Sequence, residues 1–367
     1  MIFEPDVRPK ALGIWSAVAG VGLALGPVAG GVLVDVASWR WVFLVNVPFV
    51  LLAAPLGRAW LPESRRPGAP PLDWAGVALS TIALTGIVFA LIEGVDAGWT
   101  SPSVLAALVI GIACLVAFIA VELHKRQPLF DVRILRRPPV YAGAFAILAT
   151  YIATLGMLFL MPQYIQYVQD RSPLASGLLL APFGLGLGVF APVAGRLVPR
   201  FGAPRLLMAG LAVAAVGLVP LLFLGPDTTP ALVAVSTGVI GCGMGLVFPP
   251  ATGVIMDACW VEKAGDGAAV NQLSRQVGGA LGVAIDGSVF AGVYAAKVDH
   301  DQAAESLEHA RDVAAKLSPP ARADLLDLAI DSFDKGAQAG IAVCLAFTVA
   351  SIVVAWVGLF GMTPGDD

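Results

Sequence analysis

Charged side chains are scarce in this sequence. Asp, Glu, Lys and Arg make up 13% of its 367 residues, against about 25% in an ordinary soluble domain. So few charges cannot cover a surface that faces water on all sides, so much of the exterior has to face lipid. Cysteine is also sparse. Cys114, Cys242, Cys259 and Cys344 form no C-x-x-C pair, which argues against a disulfide framework or a thiolate metal site. The histidines, His124, His300 and His309, all lie outside the apolar runs and make no histidine-rich centre. There is no H-E-x-x-H, no G-x-S-x-G and no Walker loop. The expectation is a protein that is not an enzyme, with no metal, cofactor, nucleotide or nucleic acid.

What the sequence has is long apolar runs. It is 58% hydrophobic with a mean hydropathy of +0.84. Its 41 glycines and 27 prolines are tolerable in membrane helices, where neighbouring helices satisfy freed backbone groups. Runs long enough to span hydrocarbon, roughly 17–25 residues, are Ala11–Val34, Val42–Gly57, Trp74–Ile92, Val104–Val121 and Tyr141–Met161. Leu174–Gly195, Leu206–Gly225, Ala231–Met256, Val277–Ala296 and Ala339–Phe360 complete the set. The fold class expected is an all-α integral membrane protein, a polytopic bundle of about ten transmembrane helices embedded in the lipid bilayer.

Loop charge sets the expected orientation. With a cytoplasmic N-terminus, the inside connections carry Arg8, Lys10, Arg58, Arg65, Arg66, Lys125, Arg126, Arg133, Arg136, Arg137, Arg196, Arg200, Arg205 and Lys263. The short outside loops carry only Arg40 and Arg171. Fourteen cations against two place both termini in the cytoplasm of a cell-membrane protein. The stretch 297–338 falls outside and is acidic, with nine Asp or Glu against five Lys or Arg. Leu307, Ala310, Val313 and Leu317, then Leu326, Ile330 and Phe333, recur at helical spacing. Pro319–Pro320 would separate two short amphipathic helices in a solvated cap over the outer mouth.

The first run holds Gly22, Gly26 and Gly30 at intervals of four, a flat face for close helix contact, with Pro27 favouring a bend and Gly31 following. Gly26-Pro27-x-x-Gly30-Gly31, followed by Trp39-Arg40-Trp41-x-Phe43-x-x-Asn46-x-Pro48, resembles the fifth and sixth helices of the fourteen-helix drug:proton antiporters of the major facilitator superfamily. Leu72-Asp73-Trp74, the Gln166…Ser172-Pro173…Gly177…Pro182 stretch, Gly241-x-Gly243-x-Gly245-Leu-Val-Phe-Pro249 and Asn271-x-x-x-Arg275-Gln276-x-Gly278-Gly279-Ala-Leu-Gly282 also resemble blocks of that family, in order. Gly195…Arg200-Phe-Gly202-Ala-Pro-Arg205 resembles the superfamily's cytoplasmic loop motif, with Pro199 where an Asp is usual.

The resemblance implies a major facilitator bundle and proton-coupled efflux of small hydrophobic or cationic compounds, with small molecules and protons as partners. Gly22, Gly26, Pro27, Gly30 and Gly31 would form the antiporter-motif gate. The resemblance starts at the family's fifth helix, leaving three readings open: a misassigned start, a truncated gene, or a ten-helix form. A partner chain would then supply the missing helices, and the alternative function is a non-transporting scaffold or subunit. The implied division is 1–61, a two-helix remnant of the N-terminal bundle; 62–138, a central two-helix insertion with a basic cytoplasmic linker; and 139–367, a C-terminal six-helix bundle bearing the acidic loop 297–338.

Asp286 is the deepest acid in any run. A charge at the bilayer centre costs about 2.5–3.5 kcal/mol on insertion scales, and acids there mark proton relays. It is read as a proton carrier, as a protonated acid hydrogen-bonded to a neighbouring helix, or as an exposed accident in a decaying gene; the family resembled is usually apolar here, so the resemblance assigns it no role. Asn271 and Arg275 share a face one turn apart. Arg275 is open to lipid phosphate, to a cavity, or to pairing with Asp257 or Asp266, the last being the expectation. Gln163 and Gln166 are candidates to line the substrate cavity, and Asp35, Glu93 and Asp96 to supply charge at the outer mouth.

Overall fold

A computed structural model describes residues 22, 25–60, 73–125, 132–258, 264–298 and 307–360. Among them nine helices are long and apolar enough to cross a membrane, and they coincide with the second to tenth expected runs. The first run is represented by α1, Leu25–Val36, and its earlier residues lie outside those described. α2 (Trp39–Leu44) and α3 (Asn46–Trp60) follow, then α4 (Trp74–Asp96) and α5 (Pro102–His124). The remainder are α6 (Pro138–Gln163), α7 (Pro173–Phe201), α8 (Ala203–Leu218), α9 (Pro230–Asp257), α10 (Ala264–Ala295), α11 (Leu307–Ala314) and α12 (Pro319–Phe360).

The helix starts are written in the sequence. Ser101, Ser172 and Thr229 each precede a proline and accept a hydrogen bond from the amide three residues on. A hydroxyl at the cap satisfies one orphan N–H, and proline in the first turn has no N–H to satisfy. Asp73 caps α4 in the same way, through Gly76 N–H at 2.9 Å. At the α2–α3 break the Asn46 amide donates back to the carbonyls of Val42 and Phe43 at 3.1 and 3.3 Å.

α6 to α12 form one bundle. α9 packs against α7 and α8, while α6 packs against α10 and α12; α6–α9 and α8–α12 contacts join the two groups. α6 lies at the centre, with 15 of its 26 residues buried. Small residues permit this density. A Cβ at Gly241 of α9 would overlap the Phe183 carbonyl of α7, and one at Gly282 of α10 would meet the Ile152 carbonyl of α6 at 2.6 Å. Without a hydrophobic drive between helices in lipid, such backbone approach is a main source of association. α4 and α5 make a hairpin that leans on α10.

The outer cap differs from expectation. Pro319 and Pro320 do separate two helices, but the second is continuous with the last span, so α12 runs for 42 residues, about 63 Å. Proline in a first turn starts a helix without breaking it. Nor is the cap merely solvated. Leu307, Ala310, Ala314, Leu325, Ala329 and Phe333 are buried in the same apolar cluster as Tyr164 and Ile165 of the α6–α7 connection. The Arg311 guanidinium fastens it by donating to the Tyr167 carbonyl at 2.7 Å.

Candidate functional site

Asp286 sits where α6, α10 and α12 meet, and it is 0% exposed. Its neighbours leave it room: a Cβ at Gly156 would overlap its carboxylate, and one at Gly340 would lie 3.8 Å from its own Cβ. The Cys344 thiol donates to Asp286 Oδ2 at 2.8 Å. Asp286 Oδ1 has no hydrogen-bond partner among the described residues. The sequence located the acid but not Gly156, Gly340 or Cys344, which lie on other helices and carry no local signal.

Eleven residues earlier on α10, about 17 Å along the axis, lies a second polar cluster. The Asn271 amide donates to Thr252 Oγ1 at 2.6 Å, and Arg275 Nε donates to Asn271 Oδ1 at 2.8 Å. Arg275 also reaches the Tyr151 hydroxyl at 3.3 Å. Its guanidinium lies 5.6 and 5.3 Å from the ring centroids of Tyr151 and Phe248, themselves 5.2 Å apart. The expected pairing with Asp257 or Asp266 is therefore replaced by neutral partners. A guanidinium is weakly hydrated and planar, so aromatic faces can hold it in low dielectric.

The stretch 26–31 packs on α7. Gly31 is the contact: a Cβ there would meet the Pro173 carbonyl at 2.6 Å, and one at Gly177 would overlap the Pro27 carbonyl. Gly22, Gly26 and Gly30 have no described atom within 4 Å of such a Cβ. The close face is thus Gly31 with Gly177, not the every-fourth-residue face. Between these elements lies a cavity of about 270 Å³ lined by Pro27, Gly30, Val42, Gln166, Ser176 and Leu180, among others. Gln166 is among the residues lining this cavity, with Gly30 and Gly31. Gln163 does not line it, and its side chain returns to the Phe159 carbonyl at 2.9 Å.

Of the outer charges, Asp35 is used locally. Asp35 Oδ2 accepts from Leu174 N–H at 3.1 Å, so it caps the start of α7, where a negative charge is favoured. Glu93 and Asp96 fall in the last turn of α4, with the Asp96 side chain outside the described residues. At the other end, Gly202 takes φ +81° between α7 and α8, a conformation glycine adopts without Cβ strain. Gly195 faces open space, Arg200 stacks on Phe201 at 5.4 Å, and Arg205 is exposed.

One charged cluster escaped the sequence reading. Lys125, ending α5, reaches Asp73 at 2.5 Å and Glu122 at 3.5 Å. The Lys125 ammonium, then the Gly76 amide, hold the Asp73 carboxyl down at about 2. The signal for half of this was available, since Asp73 directly precedes an apolar run as a helix cap does. Its partner lies 52 residues away.

With the geometry in place, comparison with known proteins gives the family. The model for the Major Facilitator Superfamily matches residues 1–283. Multidrug resistance protein Stp of Mycobacterium tuberculosis (strain ATCC 25618 / H37Rv) is 35% identical over 289 residues, 78% of this chain and 53% of that protein. Puromycin resistance protein pur8 of Streptomyces alboniger is 35% identical over 375 residues, 99% of this chain and 69% of that protein. The chain thus spans about half the length of Stp. Among solved structures, a bacterial homologue of the human lysosomal transporter Spinster, inward-facing and occupied, matches 99% of this chain and 73% of its own. Its TM-score is 0.54 at 14% identity, a likeness of fold alone. An all-helical, multi-pass bundle with the superfamily's sequence pattern along most of its length, this chain belongs to the major facilitator superfamily.

Proposed function

We propose that this chain works in proton-coupled efflux of small hydrophobic or cationic compounds across the cell membrane, with both termini cytoplasmic. Asp286 is the proton-carrying acid. The observation that carries this reading is a fully enclosed carboxyl group, held by one thiol, with its second oxygen unpartnered among the described residues. A permanently charged carboxylate would be expensive there, and a purely structural acid would have both oxygens satisfied. The relatives, a multidrug resistance protein and a puromycin resistance protein, support an efflux role.

In this reading α1 and α7 form the gate, hinged where Gly31 and Gly177 let their backbones meet, and the adjoining cavity receives part of the substrate. The division at 1–61, 62–138 and 139–367 follows the fourteen-helix antiporter plan. The span Trp39–Ala59 has no buried residue, more exposure than one lipid-facing side of a helix explains. That supports further helices packing there, from the same polypeptide or from a partner chain.

The test is transport of tetraphenylphosphonium into proteoliposomes under an imposed pH gradient. The wild type is expected to accumulate the cation in proportion to the gradient, and Asp286→Asn to lose that dependence. Gradient-driven accumulation that survives in Asp286→Asn would remove this acid from the mechanism.

A further inference from the structure

Buried polar atoms without partners are rare in folded proteins, and each asks for an explanation. Five of them fall together here. Asp334 Oδ1, Asp286 Oδ1, Thr154 Oγ1, Thr150 Oγ1 and Ser351 Oγ lack a hydrogen-bond partner among the described residues. All five residues are nine-tenths buried or more, and all belong to α6, α10 or α12.

Their register is fixed by glycine contacts. A Cβ at Gly340 would meet Leu160, and one at Gly358 would meet Ala142, so α6 and α12 run antiparallel with positions summing to about 500 side by side. This sets Thr150 level with Ser351 and Thr154 between Cys344 and Thr348. Asp286 adjoins Gly156 and Gly340. Along α12, Asp334, Ala337, Ile341, Cys344, Thr348 and Ser351 are buried at alternating steps of three and four, so they form one stripe. From Asp334 to Ser351 is about 26 Å of helix axis, most of the roughly 30 Å of a hydrocarbon core.

We infer that the α6–α12 seam is a hydrated proton track, with Asp334 as its outer acid, Asp286 as its midpoint, and Thr154, Thr150 and Ser351 as its inner leg. This rests on the coupling role given to Asp286. The step from Asp334 to Asp286 is about 9 Å along α12 and passes Ala337 and Gly340, with the Leu160 side chain packed on the glycine. Buried waters need two to four polar partners, and the five orphan atoms are the groups that waters in this seam would bond. A proton leaves the Asp334 carboxyl for the first water, and each water passes one on as it receives one. The last delivers it to the Asp286 carboxylate.

The groups facing Asp334 suit an entry point. Asp331 and Lys335 flank it on α12 and pair at 2.5 Å, and Lys297 from the end of α10 lies 3.9 Å from Asp331. Tyr164, from the end of α6, is a further titratable group within electrostatic reach among the described residues. Asp286 is faced by the Cys344 thiol.

The test is hydrogen–deuterium exchange of the Asp286 carboxyl in the purified full chain, read by infrared spectroscopy. Its band is identified as the one lost in Asp286→Asn. Asp334→Asn and Thr154→Val, both near-isosteric, each block one leg. Each alone is expected to slow exchange at least twofold, and the pair at least tenfold, while the exposed Asp324→Asn changes nothing. If the pair fails to fold, Asp334→Asn with Ser351→Ala tests the same two legs. Exchange in the double variant at the wild-type rate would overturn the track. The coupling role is tested separately in the same sample, since tetraphenylphosphonium should shift the Asp286 band whatever Asp334 does. No shift, with exchange still dependent on Asp334, would leave the track standing and remove the coupling role.

Discussion

Gly156→Ala is a one-methyl probe of the Asp286 site. The three atoms nearest the new Cβ are Asp286 Oδ2, Cγ and Cβ, the last at 3.2 Å, so the cost falls on a single side chain. That side chain has little freedom, because Cys344 Sγ holds Oδ2 at 2.8 Å and Gly340 closes the far side. Over-packing of this kind costs about 1–3 kcal/mol, and losing the thiol bond adds about 0.5–1.5 kcal/mol. The sum, about 1.5–4.5 kcal/mol, is roughly a ten- to thousandfold loss in the folded-to-unfolded ratio at 1.4 kcal/mol per decade. Asp286→Ala removes the clashing oxygens, so the new methyl should be tolerated in the double variant. Unfolding free energies of the four proteins in mixed micelles give the coupling, expected to be at least about 1 kcal/mol. Gly195→Ala, which meets nothing within 4 Å, serves as the neutral control. Additivity of the two substitutions within about 0.5 kcal/mol would show that Gly156 and Asp286 do not meet, and the site would be wrong.

Three further outcomes are expected. Because the folded Asp73 carboxyl is depressed to about 2 from about 3.9 unfolded, its contribution is complete above pH 4 and is lost between about pH 4 and 2. Amide-exchange protection of the first turn of α4 should fall in that window, and Asp73→Asn should flatten the pH dependence. In drug-resistance assays Gly177→Val should abolish protection by wedging α1 from α7, whereas Gly26→Ala, with nothing described within 4 Å, should be tolerated. Equal effects of the two would contradict the gate contact. Arg275→Lys should recover only part of the melting temperature lost in Arg275→Gln, because the ammonium keeps charge but not the planar fork between Tyr151 and Phe248. Full recovery would mean charge alone matters.

The membrane spans were legible because an apolar run of about 20 residues leaves few alternative structures. Asp286 was legible for the same reason, being an acid within such a run. Its surroundings were not, since Gly156 and Cys344 lie 130 and 58 residues away in sequence, and only the antiparallel packing of α6 and α12 brings them together. The glycine repeat Gly22, Gly26, Gly30 defines a face, but sequence spacing cannot say which face a neighbour will meet, and Gly31 makes the contact. Asp35 read as a mouth charge because its ligand, the Leu174 amide, is backbone and has no sequence signature. Arg275 was assigned an acid on charge alone, yet two aromatic rings and neutral oxygens hold it. The length of α12 was hidden because Asp331, Asp334 and Lys335 interrupt the apolar run without interrupting the backbone helix.

The claim on which the rest depends is that Asp286 exchanges its proton for substrate. Tetraphenylphosphonium added to the purified, weakly buffered protein should release about one proton per bound cation, and Asp286→Asn should bind the cation while releasing none. Equal proton release from both proteins, or none from either despite binding, would contradict the account.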